Sequence, residues 1–247
     1  MRPPEAAGDF CACYAGGFFL YSLRMEIKIL PSLLAADLAR LGEEISRAAD
    51  SGADALHLDI MDAHFVPNLS YSPEISALSR RVAPGFFRHV HLMMTRPDLY
   101  IDAFAEAGAQ TIQIHAESDM DVHAALAAIE ARGIKSAVAV NPETPASAVF
   151  PYLGETSEIL VMTVHPGRGG QKFIEECLPK ISAIRRAAPE GTSIMVDGGV
   201  NRETAALAAR AGADAFVAGS YLFKQQDMRA AVADLRETCR KEYGTDA

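Results

Sequence analysis

Eight times along this chain a short apolar run gives way to a longer segment whose apolar residues recur with the period of an amphipathic helix. No other feature restricts the fold as strongly. The runs predict strands near 26–31, 55–60, 87–92, 110–115, 135–140, 158–163, 193–197 and 214–219. The segments after them predict helices near 37–50, 73–83, 97–107, 120–132, 145–153, 174–188, 201–211 and 227–242. A partial internal repeat marks the junctions: Gly52-Ala53-Asp54, Gly108-Ala109-Gln110 and Gly212-Ala213-Asp214 each precede an apolar run, as does Arg132-Gly133-Ile134. Glycine just past a helix is the stop signal expected there. Short apolar strands, each followed by a helix, form a parallel sheet covered by helices. Eight such units in 247 residues match a closed (β/α)8 TIM barrel, for which about 250 residues is typical. A doubly wound sheet would want a glycine-rich turn after the first strand, and that turn reads Pro31-Ser32-Leu33-Leu34. The expected fold class is therefore α/β, a (β/α)8 TIM barrel in a single domain over residues 25–247.

Residues 1–24 do not fit the alternation. Tyr14 to Leu23 is apolar, but Glu5 and Asp9 precede it and only Arg2 supplies positive charge, which is the wrong preface for a signal peptide. Met25 opens directly onto the first strand, so residues 1–24 are expected to be a disordered N-terminal extension or an over-long start. The formal net charge of -9 argues against a nucleic-acid partner. It leaves an anionic small molecule open, because backbone N–H groups at helix N-termini hold phosphate without excess Lys or Arg. The chain has no apolar run long enough to span a membrane. Cys11, Cys13, Cys177 and Cys239 have no zinc-finger spacing and read as free thiols, which implies a cytoplasmic protein.

In a TIM barrel the active site lies at the C-terminal ends of the strands. The polar residues expected there are Ser32, His57, Asp59, His91, His115, Asn141, Thr163, Asp197, Gly219 and Ser220. In Leu56-His57-Leu58-Asp59 the period of two puts His57 and Asp59 on one face. An imidazole and a carboxylate so placed are half of a first-row metal site; a buried His–Asp hydrogen bond would give the same pattern. His89 and His91 share a face on the next strand, with His91 nearer its end and His89 one layer deeper. Asp197 ends the seventh run and is followed by Gly198 and Gly199, which allow backbone N–H groups to approach an anion at the next helix. Gly219-Ser220 after the eighth run, and the loop Gly167-Arg168-Gly169-Gly170 after the sixth, complete a phosphate cradle in the usual place for such barrels. Two imidazoles and two carboxylates around a divalent metal suit epimerisation next to a carbonyl. The metal stabilises an enediolate, and Asp59 and Asp197 remove and return the proton from opposite faces.

At these residues the sequence closely resembles the ribulose-phosphate 3-epimerase family. The likeness runs from Lys28 to about Arg240. It is carried by Pro31-Ser32-Leu33-Leu34-Ala35-Ala36-Asp37, His57-Leu58-Asp59-Ile60-Met61-Asp62, His64-Phe65-Val66-Pro67-Asn68, His91-Leu92-Met93, Val161-Met162-Thr163-Val164, Gly169-Gly170-Gln171-Lys172-Phe173 and Val196-Asp197-Gly198-Gly199-Val200. The resemblance implies a barrel of the ribulose-phosphate-binding type. It implies His57, Asp59, His91 and Asp197 as metal ligands, with Asp59 and Asp197 as the acid/base pair. Ser32 and His91 become substrate contacts. Gly167, Arg168, Gly169, Gly170, Gly198, Gly199, Gly219 and Ser220 fall on the phosphate side. Met61, Met93 and Met162 line the reacting carbons. The ion implied is Zn²⁺, with Fe²⁺, Mn²⁺ and Co²⁺ compatible with the same donors. The partner is a small ketose phosphate, and the implied assembly is a homo-oligomer.

Some positions depart from the family pattern. Ala63 stands where glycine or asparagine is common, Tyr71-Ser72 where an apolar residue and glycine are frequent, and His165 and Arg168 alter the loop after the sixth strand. Arg168 can pair with a phosphate or stand in solvent. The stretches 68–73 and 141–145 are also similar to allulose-6-phosphate 3-epimerases, so a hexulose 6-phosphate is the alternative substrate. A non-catalytic sugar-phosphate-binding barrel, and a metal-dependent hydrolase or decarboxylase, are the readings from other classes.

Overall fold

The computed structural model describes residues 26–244. The expectation for residues 1–24 concerns a segment outside them. Eight strands are present in the described residues: β1 (Lys28–Pro31), β2 (Ala55–Met61), β3 (Phe87–Met93), β4 (Thr111–His115), β5 (Lys135–Val140), β6 (Glu158–Met162), β7 (Ser193–Asp197) and β8 (Ala215–Ala218). They form one parallel sheet in the order β1-β8-β7-β6-β5-β4-β3-β2. The ring is closed between its first and last members by a parallel bridge from Ser32 to His57 and a backbone hydrogen bond from the Asp54 N–H to the Ile29 carbonyl. This is the expected (β/α)8 barrel.

The helices are α1 (Leu41–Asp50), α2 (Glu74–Val82), α3 (Ile101–Glu106), α4 (Val122–Glu130), α5 (Leu178–Ala187), α6 (Arg202–Arg210), α7 (Ser220–Phe223) and α8 (Met228–Glu242). Two outcomes differ from the sequence reading. The helix expected over 145–153 is a pair of 3-10 turns, Ala146–Ala148 and Phe150–Tyr152. Pro145 and Pro151 flank and interrupt that segment, and a proline ring disfavours helical backbone in the residue before it. The four-residue α7 directly after β8 was not anticipated, because four residues are too few to show a helical period.

Period two in the strands divides the apolar residues into two cores. Leu56, Leu58 and Ile60 of β2 belong to the large cluster between sheet and helices. Leu30, Leu160, Met162, Met195 and Val217 fill the barrel interior. The alternate positions of β2, His57, Asp59 and Met61, face inward with them and are as buried as their neighbours. A polar pair is thus held inside the barrel by the same alternation that anchors the strand outside it.

The junction repeat has a structural role. Asp54 accepts the Ile29 N–H at 2.7 Å, Gln110 the Arg88 N–H at 3.2 Å, and Asp214 the Ile194 N–H at 3.1 Å. In each case the backbone N–H of the repeat residue donates back to the carbonyl of that same partner. The third residue of the motif therefore staples its own strand to the preceding neighbour at the bottom of the barrel.

Candidate metal centre

Strands β2 and β3 pair in register, with His57 opposite His89, Asp59 opposite His91 and Met61 opposite Met93. This brings His57, Asp59 and His91 together, and β7 adds Asp197 from its tip. One ligand atom from each of the four lies within 4.8 Å of the other three. His57 Nε2 stands 3.3 Å from Asp59 Oδ1 and 3.7 Å from Asp197 Oδ2. His91 Nδ1 stands 3.4 Å and 3.7 Å from the same two oxygens. These separations are too long for hydrogen bonds. They are close to the edges, about 3.3–3.4 Å, of a tetrahedron drawn with zinc-ligand bonds of about 2.0–2.1 Å. Both imidazoles are fully buried, and His57 Nε2 and His91 Nδ1 have no hydrogen-bond partner. Orphaned buried nitrogens aimed at two carboxylates fit a divalent cation.

The two carboxylates are electrostatically distinct. Burial raises the Asp59 carboxyl, but the adjacent imidazoles of His57 and His91 override it and hold the group far below the usual range. Burial, and then the negative charge of Asp59, push Asp197 up to about 7. Burial works against a charged His57, yet Asp59 prevails and its pKa is raised; for His91 burial prevails and its pKa falls to about 3.

Above this cluster opens a cavity of about 400 Å³. Ser32, at the end of β1, lines it and donates its hydroxyl to Asp59 Oδ2 at 2.6 Å. Met61, Met93 and Met162 form an apolar wall. Gly167, Arg168, Gly169 and Gly170 border it on one side, and Gly198, Gly199, Gly219 and Ser220 on another. The four candidate ligands, Ser32, the three methionines and the phosphate-side residues thus belong to this cavity or to the buried cluster at its floor, whereas His115, Asn141 and Thr163, also expected at the strand ends, lie outside both. Gly198 and Gly199 have φ of 120° and 65°. A Cβ on Gly199 would meet the Phe173 backbone nitrogen at 2.4 Å, so this approach requires glycine. Thr163 donates to the carbonyls of Asp197 and Gly198 at 3.0 and 2.7 Å, fixing the strand tip. Asn201 then starts α6 with a capping box shared with Thr204.

Several contributors escaped sequence reading. Lys224 and Gln225, just beyond α7, line the cavity; only the unforeseen short helix brings them there. Ser70 donates to the Asp59 carbonyl at 2.6 Å and accepts the Met61 N–H at 3.0 Å, binding the loop after β2 to the strand. His165 pairs with Glu143 at the exposed rim. Arg168 lines the cavity and makes no ion pair among the described residues. His89 lies one layer down, where its Nε2 is 2.6 Å from Glu158 Oε1, so it is apart from the metal cluster, as its depth on the strand suggested.

The sequence matches the model of the ribulose-phosphate 3 epimerase family over residues 28–223. It is 44% identical over 214 residues to the ribulose-phosphate 3-epimerase of Bacillus subtilis (strain 168), covering 85% of this chain and 98% of that one. To the ribulose-phosphate 3-epimerase of Rhodobacter capsulatus it is 46% identical over 200 residues, covering 81% and 87%. Among solved structures, KGPDC from Streptococcus mutans superposes with a TM-score of 0.67 at 14% identity, covering 89% of this chain and 100% of that one; at that identity the likeness concerns the barrel alone. The matched span takes in all four residues of the buried cluster and the strands that carry them, and the chain belongs to the ribulose-phosphate 3-epimerase family.

Proposed function

We propose that this protein interconverts D-ribulose 5-phosphate and D-xylulose 5-phosphate by moving the proton at C3. The observation that carries the reading is the pair Asp59 and Asp197: two carboxylates from β2 and β7, three strands apart around the ring, facing one cation-sized gap. An acid/base pair for epimerisation needs two groups that reach the reacting carbon from opposite faces. Asp59 Oδ1 faces the histidines while Oδ2 takes the Ser32 hydroxyl on the cavity side. Oδ2 is therefore the oxygen that accepts the C3 proton, and Ser32 can turn its hydroxyl to accept from the acid so formed. Asp197 delivers a proton to the other face of C3, and the two exchange roles in the reverse direction. His57, His91 and both aspartates would hold a divalent ion, for which Zn²⁺ suits these donors, and it would supply positive charge to stabilise the enediolate oxyanion. The methionine wall keeps water from the planar intermediate. Backbone N–H groups of Gly198, Gly199, Gly219 and Ser220 receive the phosphate, with the Gly167–Gly170 loop over it and Arg168 free to pair with it.

The pentulose is preferred to a hexulose 6-phosphate on the strength of the Bacillus subtilis and Rhodobacter capsulatus relatives, both of which carry the ribulose-phosphate 3-epimerase name. No helix among the described residues is long and apolar enough to cross a membrane. A cytoplasmic location is supported by the buried free thiols of Cys177 and Cys239, and assembly as a homo-oligomer is supported by family membership. Incubation with D-ribulose 5-phosphate in deuterium oxide should place deuterium at C3 without bond cleavage; none at C3 would return the protein to the class of non-catalytic binders. A kcat/KM about ten-fold higher on the hexulose phosphate, ~1.4 kcal/mol in transition-state binding, would reassign the substrate.

A further inference from the structure

The two imidazoles of the cluster are supported unequally. His57 Nδ1, the nitrogen remote from the carboxylates, is buried with no partner. His91 Nε2, its counterpart, lies 2.9 Å from His115 Nε2. The two rings are within 20° of parallel with centroids 5.0 Å apart, compatible with an edge-to-edge N–H···N bond. On its far side His115 Nδ1 is 3.2 Å from Glu117 Oε2. Glu117 Oε1 accepts the Asn141 backbone N–H at 2.8 Å. His91 and His115 are fully buried, so no solvent can take the place of these partners.

We infer that Glu117, acting through His115, sets the tautomer of His91 and so keeps the metal-facing nitrogen bare. A backbone N–H can only donate, and a carboxylate only accepts. Glu117 therefore receives a hydrogen from Asn141 on one oxygen and from His115 Nδ1 on the other. A neutral His115 that carries its hydrogen on Nδ1 has a lone pair on Nε2. That lone pair must accept the hydrogen of His91 Nε2, which leaves the lone pair of His91 on Nδ1, the atom facing Asp59 and Asp197. The Thr144 hydroxyl also lies against the Glu117 carboxylate, but it can rotate to donate or accept and imposes no polarity. Both Glu117 and His115 are positioning residues, and neither faces the metal gap directly. The inference rests on reading the four-residue cluster as a metal site.

The direction of the chain yields a test that a structural role does not predict. In Glu117→Gln the carbonyl oxygen must stay with the Asn141 N–H, so the NH₂ group faces His115 Nδ1 and donates. His115 then carries its hydrogen on Nε2 and donates to His91, and the His91 hydrogen moves to Nδ1, blocking the ligand atom. Glu117→Ala removes the constraint without reversing it. With chelator-stripped full-length protein and Zn²⁺ as the probe, Glu117→Gln should weaken binding by about 10–100-fold, the usual range for outer partners of a ligating histidine. Glu117→Ala should weaken it less. If the isosteric Gln variant binds as well as or better than Ala, the role is packing and the inference fails. Wild-type protein that takes up no Zn²⁺ would sink the metal reading and this inference with it, whereas normal wild-type uptake with the order reversed sinks the inference alone. If Glu117→Gln does not fold, nitrogen-15 spectra of the stripped wild-type protein decide. His91 should show the tautomer with hydrogen on Nε2, and the opposite tautomer overturns the inference.

Discussion

At the scale of the residue, the site depends on the inequality of two aspartates. Their carboxylates meet the same histidines, but Asp59 has both imidazoles nearest to one oxygen and the Ser32 hydroxyl on the other, while Asp197 suffers burial and the charge of Asp59 with only His57 to offset them. Asp59→Asn and Asp197→Asn should each lower kcat by at least about 100-fold at saturating metal, the low end for general acid/base groups; near-normal turnover in either would remove that residue from the pair. Metal uptake should also be pH-dependent, because a ligating carboxylate must be ionised. With Asp197 raised to about 7, binding below that pH displaces its proton. Displacing that proton alone should lower the apparent Zn²⁺ affinity by about tenfold per unit as pH drops below 7, and His57, whose pKa is also raised and which must be neutral to ligate, should steepen the fall. Competition titrations between about pH 5.5 and 8 check both the sign and the break point. Ala63 is also informative at this scale. Its φ of 60° is the left-handed conformation that favours glycine or asparagine. The turn is retained because Asp62 accepts the His64 and Phe65 N–H groups at 2.8 Å and the Thr95 N–H at 2.8 Å, which holds the loop whatever residue follows.

At the scale of the element, the strand ends work by opposite logic at the two faces of the barrel. At the C-terminal face the tips carry reactive groups and glycines. At the N-terminal face, Asp54, Gln110 and Asp214 close the sheet with side-chain hydrogen bonds to a neighbouring strand. Asp54→Ala should destabilise the fold by about 1–3 kcal/mol, the cost of leaving the buried Ile29 N–H unpaired, while Asp54→Asn keeps an acceptor and should cost less. Chemical denaturation resolves the two; equal losses would show that the ion pair with Arg236, at 2.7 Å, matters more than the acceptor. The segment between β5 and β6 shows the limit of periodicity. Ala146, Val149 and Leu153 have helical spacing, but two prolines reduce the segment to 3-10 turns.

At the scale of the whole molecule, closing the sheet turns a linear list of strand tips into one site. β2 and β7 are far apart in sequence yet only three strands apart around the ring, and a cation between them would tie them together. Saturating Zn²⁺ at a thousand times its Kd should stabilise the protein by about 4 kcal/mol, raising Tm by about 8–16 °C for a chain of this size. Calorimetry with and without chelator measures it. A Tm indifferent to metal would mean that the buried carboxylates and imidazoles are stable as an ion-pair cluster.

The sequence by itself determined the alternation of strands and helices, the inward face of each strand, and therefore the short set of side chains that could reach the barrel mouth. These are local properties, set by a period of two in strands and 3.6 in helices, and they survive without any knowledge of neighbours. The tertiary structure alone decided distances and partners. Only the register of β2 against β3 sets Asp59 beside His91 and leaves His89 to Glu158 below. Only the pairing of β4 beside β3 gives His115, otherwise one more polar strand end, its contact with His91. The unequal states of Asp59 and Asp197 likewise belong to no local pattern, because burial and charge act through space and their sum is defined once the ring has closed.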